Sequence, residues 1–311
     1  MEPLVSIIII TYQDREHVCE AVDSAQAQTY SNCEIILMDD GSTDGTGELI
    51  RDRYGETIQY LWKENGGMGS ARQAGFERAK GKYIQFLDSD DVLLPGKILA
   101  QVGYLEKNPE IAFVYSPTVC FSANDVDERW EWPYHHRYQS GNLLLPVLRG
   151  GNFIITAAPL YRKAWLDRIG GIDPSLQVSD DFDTILRLSY VGARAHFLED
   201  APGFLYRVRE KPTDTGHRAK ERFLNGQIQI LQKIKKKLLM DGHPYARVAD
   251  RQIGRARVDL GWEYVTNGNI FPGLKELVCG LSLNPAYLFS KFGVDLKNQT
   301  GKTFIVDTNK R

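Results

Sequence analysis

The sequence lacks the features that mark membrane-spanning, nucleic-acid-binding and disulfide-rich proteins. No apolar run approaches the roughly 20 residues that cross a bilayer. The apolar run from Leu4 to Ile10 is too short for a secretory signal peptide, and no basic stretch precedes it. The formal net charge is -2, so no positive field would recruit nucleic acid. Its cysteines form no CxxC pair and no metal-binding spacing; they are Cys19, Cys33, Cys120 and Cys279. We expect a cytoplasmic protein with reduced, mostly buried thiols and no nucleic-acid partner.

Strand-like and helix-like segments alternate through the first part of the chain. Val5 to Ile10, Glu34 to Met38 and Tyr83 to Leu87 are apolar, β-rich runs typical of strands that are buried on both faces. Between the first two, residues from Glu16 to Gln28 place their apolar side chains at helical spacing. This alternation predicts βαβ units, and therefore an α/β fold with a mainly parallel sheet flanked by helices.

The alternating pattern weakens after residue 91. Ile154 to Leu160 is apolar enough for a strand, and Asp181 to Tyr190 has the spacing of a helix. Ser122 to Ser140 shows no clear period, although it is rich in aromatic residues. From about Lys220 the chain becomes helical in pattern, first in an amphipathic helix from Phe223 to Met240 and then in a helical hairpin. These segments predict a helical appendage that follows the α/β part.

Polar clusters follow four predicted strands: the three named above and Ile58 to Trp62. The clusters are Thr11-Tyr12-Gln13, Asp39-Asp40, Asn65-Gly66-Gly67 and Asp88-Ser89-Asp90-Asp91. Ligands bind at the carboxyl ends of strands in an open parallel sheet, so the topology would gather all four at one edge. The last cluster holds three carboxylates in four residues, which repel one another unless a cation lies among them. Mg²⁺ and Mn²⁺ prefer oxygen ligands, so the cluster indicates either a metal-assisted diphosphate site or a polar loop after a strand.

Taken in order, these stretches resemble the motifs of family 2 glycosyltransferases, which have the GT-A fold. The motifs are Val5 to Gln13, Asp39 to Asp44, Gly67 to Gly75, Leu87 to Asp91, and Gly170 to Asp173 followed by Asp180 to Arg187. The resemblance covers about residues 4–210. It implies that residues 1–217 are a GT-A domain with a nucleotide-binding half, 1–95, and an acceptor-side half, 96–217. We predict that residues 218–296 are helical and that 297–311 are a flexible tail.

The resemblance assigns a nucleotide-sugar site to the strand ends. It implies that Asp39 contacts the base of a UDP-type donor, that Tyr12 stacks on that base and that Arg72 neutralises the diphosphate. The alternative for Arg72 is an ordinary surface arginine. The full set implied for the donor is Thr11, Tyr12, Asp39, Asp40, Gly67, Arg72, Asp88 and Ser89.

The resemblance also implies the metal ligands and the base. Asp90 would ligate Mn²⁺ or Mg²⁺, and Asp88 would contact the ribose or a water on the metal. Asp181 would take the proton of the acceptor hydroxyl, with Asp180 as the alternative base, and the displacement would invert the anomeric carbon. The structural alternative is a helix N-terminal cluster in which Asp180 is the cap. Asp91 is predicted to cap the turn that follows it.

We therefore predict an inverting, metal-dependent glycosyltransferase that moves a sugar from a nucleotide sugar, with UDP favoured, to a hydroxyl acceptor. The acceptor would be a glycan, a lipid-linked or another hydroxyl compound in polysaccharide, cell-envelope glycan or glycolipid synthesis. Without a Gln-x-x-Arg-Trp element or a membrane span, the chain resembles single-addition rather than processive enzymes.

Two other functions stay open. One is a sugar-nucleotide nucleotidyltransferase, although Thr11-Tyr12-Gln13-Asp14 stands where that class needs a basic, glycine-rich loop. The other is a non-catalytic nucleotide-binding scaffold that uses the helical hairpin as an interaction surface.

Some segments carry two interpretations each. Trp130 to Tyr138 would line an acceptor site or form a buried aromatic cluster. Arg207, Arg209 or His217 would contact phosphate or be ordinary loop residues. The C-terminal helices are candidates for a homodimer contact and for peripheral contact with the cytoplasmic membrane, where Phe289 and Phe292 beside Lys291 would insert.

Overall fold

The computed structural model describes residues 2–123, 127–208 and 216–287. They belong to two compact units, Met1–Lys211 and Pro212–Arg311. Some predictions fall outside the described residues: those for Arg209, for Phe289, Lys291 and Phe292, for the side chain of His217, and for the tail 297–311.

Eleven strands and ten helices build the described part of the chain. The strands are β1 (Val5–Thr11), β2 (Cys33–Asp39), β3 (Gln59–Trp62), β4 (Tyr83–Asp88), β5 (Val92–Leu93), β6 (Phe113–Tyr115), β7 (Thr118–Ser122), β8 (Arg129–Glu131), β9 (Pro159–Arg162), β10 (Ala195–Phe197) and β11 (Phe204–Val208). The helices are α1 (Val18–Gln26), α2 (Thr46–Tyr54), α3 (Met68–Arg78), α4 (Lys97–Lys107), α5 (Leu144–Gly150), α6 (Lys163–Arg168), α7 (Asp180–Tyr190), α8 (Gly216–Met240), α9 (Ala246–Thr266) and α10 (Ile270–Leu283).

A seven-stranded sheet forms the centre of the first unit, in the order β10-β6-β9-β4-β1-β2-β3. Among its described strands only β9 runs antiparallel to its neighbours, so the predicted mainly parallel α/β sheet is confirmed. The continuous apolar run of β1 is buried along its whole length, because helices cover both faces of a parallel sheet.

A second sheet, in the order β5-β11-β7-β8, was not predicted. β5 and β8 have two and three residues, too few for a period-2 pattern to emerge, and β7 and β11 have five each. The strand predicted over Ile154 to Leu160 is wrong, because β9 begins only at Pro159. Phe153 and Ile154 are nevertheless buried. A buried segment outside a sheet has the same apolar sequence pattern as a buried strand.

The second unit is helical, as predicted, and its α9–α10 hairpin packs backbone against backbone. Glycines alternate between the two helices at the contact: a Cβ on Gly261 would lie 2.7 Å from the Gly273 carbonyl oxygen, and one on Gly254 would lie 2.8 Å from that of Gly280. Larger residues at these positions would force the helices apart.

All four cysteines are free, which agrees with reduced thiols. Only Cys120 is buried, so the expectation that most of them would be buried is wrong. None of the helices in the described ranges is long and apolar enough to cross a membrane.

Candidate active site

Strand register brings three of the predicted polar clusters side by side. Thr11 pairs with Asp39 across β1 and β2, and Ile10 pairs with Asp88 across β1 and β4. The carboxyl ends of these strands therefore form one edge of the sheet. This edge is where an open α/β sheet places its ligand.

The Asp39 carboxylate is buried and held on both sides. One oxygen accepts a hydrogen bond from the Ser42 backbone N–H at 2.8 Å, and the other accepts one from the Tyr60 hydroxyl at 2.7 Å. Thr11 ends β1 beside Asp39, and its buried hydroxyl has no partner within the described ranges. Tyr12, which follows it, is 53% exposed. Tyr12 thus presents an open ring face beside a fixed carboxylate.

Asp40 shapes the glycine-rich turn that begins α3. Its carboxylate accepts hydrogen bonds from the backbone N–H groups of Gly66 (3.0 Å) and Gly67 (2.7 Å) and contacts Lys63 Nζ at 2.6 Å. Gly67 has a φ of 87°, a conformation that favours glycine. Asp40 is predicted to contact the donor, but its carboxylate already has three partners inside the protein.

The carboxylates after β4 point in different directions. Asp88 and Asp90 keep partial exposure, whereas Asp91 is buried and accepts a hydrogen bond from the Arg207 backbone N–H at 3.1 Å. Burial, with Asp90 and Asp88 nearby, raises the pKa of Asp91 well above its usual range. The prediction that Asp91 caps the following turn is wrong, because its side chain contacts β11 instead.

Two neighbours of this stretch are also engaged within the protein. The Ser89 hydroxyl donates to Asp14 Oδ2 at 2.7 Å and so ties the stretch to the loop after β1. Arg207, predicted as a phosphate contact, is buried; it donates to the Asp90 carbonyl oxygen and pairs with Glu20.

Asp88 and Asp90 suit a divalent cation that shares its coordination with a substrate. No group of three candidate ligand side chains is arranged for a metal within the described ranges. Mg²⁺ is commonly bound by only one or two carboxylates together with substrate phosphates. The two partly exposed aspartates at the strand end match that mode of binding.

A buried arginine joins this stretch to α7. Arg72 is 2% exposed, and its guanidinium forms ion pairs with Asp88 on β4 and Asp180 on α7. The surface-arginine interpretation is therefore wrong. The predicted diphosphate contact is untested, and both terminal nitrogens of the guanidinium already face carboxylates.

Asp181 stands next to this bridge with both carboxylate oxygens held. Oδ1 accepts a hydrogen bond from the Phe182 backbone N–H at 2.7 Å, and Oδ2 accepts one from Asn152 Nδ2 at 2.9 Å. Burial first, and then the charge of Asp180, raise the pKa of Asp181 to about 7, against the opposing charge of Arg72. A carboxylate with such a pKa can accept a proton near neutral pH.

The start of α7 differs from the capping alternative. Ser179 occupies the N-cap position with a φ of 61° and no side-chain cap bond, and Asp180 faces Arg72 instead. Non-glycine residues with positive φ are uncommon and concentrate at functional sites. Asp180 and Asp181 therefore contact Arg72 and Asn152 instead of capping the helix.

The acceptor-side motif packs directly on the glycine-rich turn. A Cβ on Gly69 would lie 2.4 Å from the Asp173 carbonyl oxygen, and Gln177 Nε2 donates to the Gly66 carbonyl oxygen at 3.1 Å. Sequence reasoning missed Asn152 and Asp14, because a single asparagine or aspartate in a loop carries no periodic signal. The Gly150-Gly151 pair before Asn152 was the available hint of a special turn.

The aromatic segment begins on the second sheet, where Trp130 lies in β8, and ends at Tyr138, which packs on Tyr115 of β6 and Phe197 of β10 in the first sheet. The Trp132 ring contacts the rings of Tyr134 and Tyr206, with centroids 5.5 and 5.6 Å apart. Trp130 pairs in register with Cys120, which pairs with Tyr206. Burial and the charges of Asp91, Asp88 and Asp90 raise the pKa of Tyr206. The row formed by Trp130, Cys120 and Tyr206 therefore ends beside these carboxylates.

A model of the family described as Glycosyl transferase family 2 matches residues 6–170. This chain belongs to that family. An uncharacterised glycosyltransferase of Rickettsia prowazekii is 40% identical over 193 residues, which cover 58% of this chain and 57% of that protein. The chain spans between 28% and 60% of the length of three rickettsial relatives. Asp180 and Asp181 lie beyond the residues that the family model matches.

Two solved structures show the same fold. S. aureus TarS 1-349 in complex with UDP-GlcNAc is similar with a TM-score of 0.63 at 15% identity, over 99% of this chain and 98% of that chain. Mannosyltransferase PcManGT from Pyrobaculum calidifontis, in complex with GDP-Man and Mn²⁺, has a TM-score of 0.58 at 18% identity, over 94% and 80%. The family 2 chain described here therefore has the GT-A fold with a helical C-terminal region.

Proposed function

We propose that this family 2 protein is an inverting glycosyltransferase that uses a UDP-sugar and a hydroxyl acceptor. The observation that carries the proposal is the bridge through Arg72. It joins the carboxylates at the end of β4 to the aspartate pair of α7, where Asp181 has a pKa of about 7. A site for a leaving diphosphate and a base thus lie on either side of one buried cation.

The donor binds at the strand ends. Asp39 accepts the N3–H of uracil, Tyr12 stacks on the base and the Thr11 hydroxyl gains the partner that it otherwise lacks among the described residues. The UDP-GlcNAc bound to TarS supports the choice of UDP, since that chain and this one are similar over nearly their whole lengths. Asp40, Gly67 and Ser89 shape the turns of the site.

A divalent cation, Mn²⁺ or Mg²⁺, would be held by Asp90 and Asp88, where it offsets the negative charge of the departing diphosphate. The Mn²⁺ in PcManGT supports this cofactor class. Arg72 holds Asp88 and Asp180 in place rather than binding the diphosphate, because its terminal nitrogens already face these two carboxylates.

Asp181 is the base. Its carboxylate takes the proton of the acceptor hydroxyl as the acceptor oxygen forms a bond to the anomeric carbon. The bond from that carbon to the diphosphate breaks, and its electron pair leaves with the diphosphate on the opposite face, which inverts the centre. Asp180 is the weaker candidate, because it is buried and its Oδ1 pairs with Arg72, whereas Asp181 keeps partial exposure.

The acceptor binds between Asp181 and the second sheet. Trp130 and Tyr134 are 38% and 41% exposed, and aromatic faces of this kind suit the apolar face of a sugar ring. A glycan or glycolipid acceptor therefore fits best. Homodimer contact, peripheral membrane contact and cytoplasmic location stay predictions.

Release of UDP from a panel of UDP-sugars, with Mn²⁺ or with EDTA, tests the proposal. We expect metal-dependent turnover, and we expect Asp181→Asn to lower kcat by about 100-fold or more while UDP still binds. Asp167→Asn, at a half-exposed surface carboxylate, is the control and should keep full turnover. Full activity of Asp181→Asn would refute the assigned base. Formation of UTP and a sugar 1-phosphate from a UDP-sugar when pyrophosphate is added, without release of UDP, would favour a nucleotidyltransferase.

A further inference from the structure

Asn152 is the side chain outside α7 that donates to the Asp181 carboxylate. It lies in the loop between α5 and β9, and its Nδ2 is 2.9 Å from Asp181 Oδ2. The buried cation Arg72 pairs with Asp180 and Asp88 instead. The direction in which Asp181 faces therefore depends on this amide and on the Phe182 backbone N–H.

The orientation of the Asn152 amide is fixed by a second contact. Its Oδ1 accepts a hydrogen bond from the Ile154 backbone N–H at 3.2 Å. Since the carbonyl oxygen is used there, the amino group must face Asp181, and a flipped amide would lose both hydrogen bonds. Phe153 and Ile154, each 1% exposed, anchor the loop in the core.

We propose that Asn152 is a positioning residue that holds Asp181 in the orientation and charge state needed to accept the proton of the acceptor. The proposal rests on the proposed function, in which Asp181 is the base. An amide N–H donated to a carboxylate stabilises its charged form and restricts its rotation. Losing it should impair the proton-transfer step more than donor binding.

The charged and titratable groups around Asp181 set the direction of the effect. Asp180 on α7 and Asp88 on β4 raise the pKa of Asp181, Arg72 on α3 lowers it, and Tyr161 on β9 lies close enough to be influenced by its charge. Asn152 adds a donor from the loop before β9. Removing this donor leaves the two raising carboxylates in place, so the pKa of Asp181 should rise.

The test compares Asn152→Ala and Asn152→Asp in the whole chain, using UDP release from the UDP-sugar that the wild type turns over. We expect Asn152→Ala to lower kcat roughly 10- to 100-fold, with the donor KM unchanged. The acid limb of the kcat profile should move up by about one pH unit. Asn152→Asp should lose more activity than Asn152→Ala at neutral pH, because it puts an acceptor and a negative charge against Asp181.

Asn142 provides a matched control. Its Oδ1 accepts from the Leu144 backbone N–H at 3.0 Å, the same two-residue spacing as at Asn152, while its Nδ2 donates to the Ser189 carbonyl oxygen. Asn142→Ala should leave the pH profile in place.

The proposal would be overturned if Asn152→Ala lost more activity than Asn152→Asp. Asn152→Asp keeps the size of the side chain and the bond to Ile154, so a merely structural role predicts that Asn152→Asp is milder than Asn152→Ala, with no movement of the pH profile. Asp181→Asn, run in parallel, separates the two hypotheses. If Asp181→Asn is inactive while both Asn152 variants behave as wild type, only the positioning role fails; if Asp181→Asn is active, the proposed function fails.

Discussion

Replacing Asp181 by Asn should stabilise the protein at alkaline pH, and the gain should disappear in acid. Burial and Asp180 raise the pKa of Asp181 in the folded protein to about 7, from the ordinary value of 3.8. Well below pH 3.8 the side chain is protonated in both the folded and the unfolded chain. As the pH rises towards 7, the unfolded chain releases the proton and the folded protein retains it, so the free energy of unfolding falls.

The magnitude follows from the pKa difference. One pKa unit corresponds to about 1.4 kcal/mol, which gives about 4 kcal/mol as the full cost of ionising Asp181 in the fold. At pH 5 the unfolded chain has already released most of its proton, so only about two of these pKa units apply between pH 5 and pH 8, and we expect about 2–3 kcal/mol over this range. The amide introduced by Asp181→Asn would lie against the Asn152 amide and lose part of this gain at every pH, but that loss does not depend on pH.

Urea unfolding at pH 5 and pH 8, without metal, measures the effect. Tryptophan fluorescence reports mainly on the first unit, which holds four of the five tryptophans. The stability of Asp181→Asn relative to wild type should rise by about 2–3 kcal/mol from pH 5 to pH 8, while Asp167→Asn should stay within about 0.5 kcal/mol of wild type at both. A relative stability that is the same at both pH values would refute the reasoning.

Two further predictions concern packing and charge. Gly261→Ala should destabilise the second unit by about 1–3 kcal/mol, because its Cβ would meet the Gly273 carbonyl oxygen; Gly103→Ala, in α4 with nothing within 4 Å, should instead stabilise the first unit by about 0.5–1 kcal/mol. Thermal unfolding of both variants checks the opposite signs, and equal effects would contradict the packing argument. Arg72→Met should destabilise the fold by about 3–5 kcal/mol in urea unfolding, because it leaves two carboxylates without their cation. A loss below about 1 kcal/mol would show that the ion pairs contribute little.

The long elements were predictable because their sequence signals are strong. The apolar runs of β1, β2 and β4 and the periodic helix α7 were all recognised, and a parallel sheet followed from their alternation. Short strands such as β5 and β8 were not, because two or three residues cannot display a period. Their strand conformation comes from pairing with β11 and β7, which are separate segments of the sequence.

The candidate site was predictable in its residues but less so in its contacts. Asp39, Asp88 and Asp181 lie where the motifs indicated, at strand ends and at a helix start. The ion pair between Arg72 and Asp180 joins residues 108 positions apart, and no local pattern carries that information. Asn152 was missed for the same reason: its importance comes from the group that it faces rather than from its neighbours in sequence.

The order of the first sheet has a consequence for how the α/β domain can be divided. β9, from the predicted acceptor-side half, lies between β4 and β6, so the predicted nucleotide-binding half, 1–95, leaves an edge of β4 uncovered when it stands alone. In that fragment Arg72 would lack its partner Asp180. The face of Gly69 on which residues 173–176 pack would be exposed. We therefore expect the two predicted halves to fold as one cooperative unit, and gene fusions or split reporters built on this chain should keep residues 1–208 together.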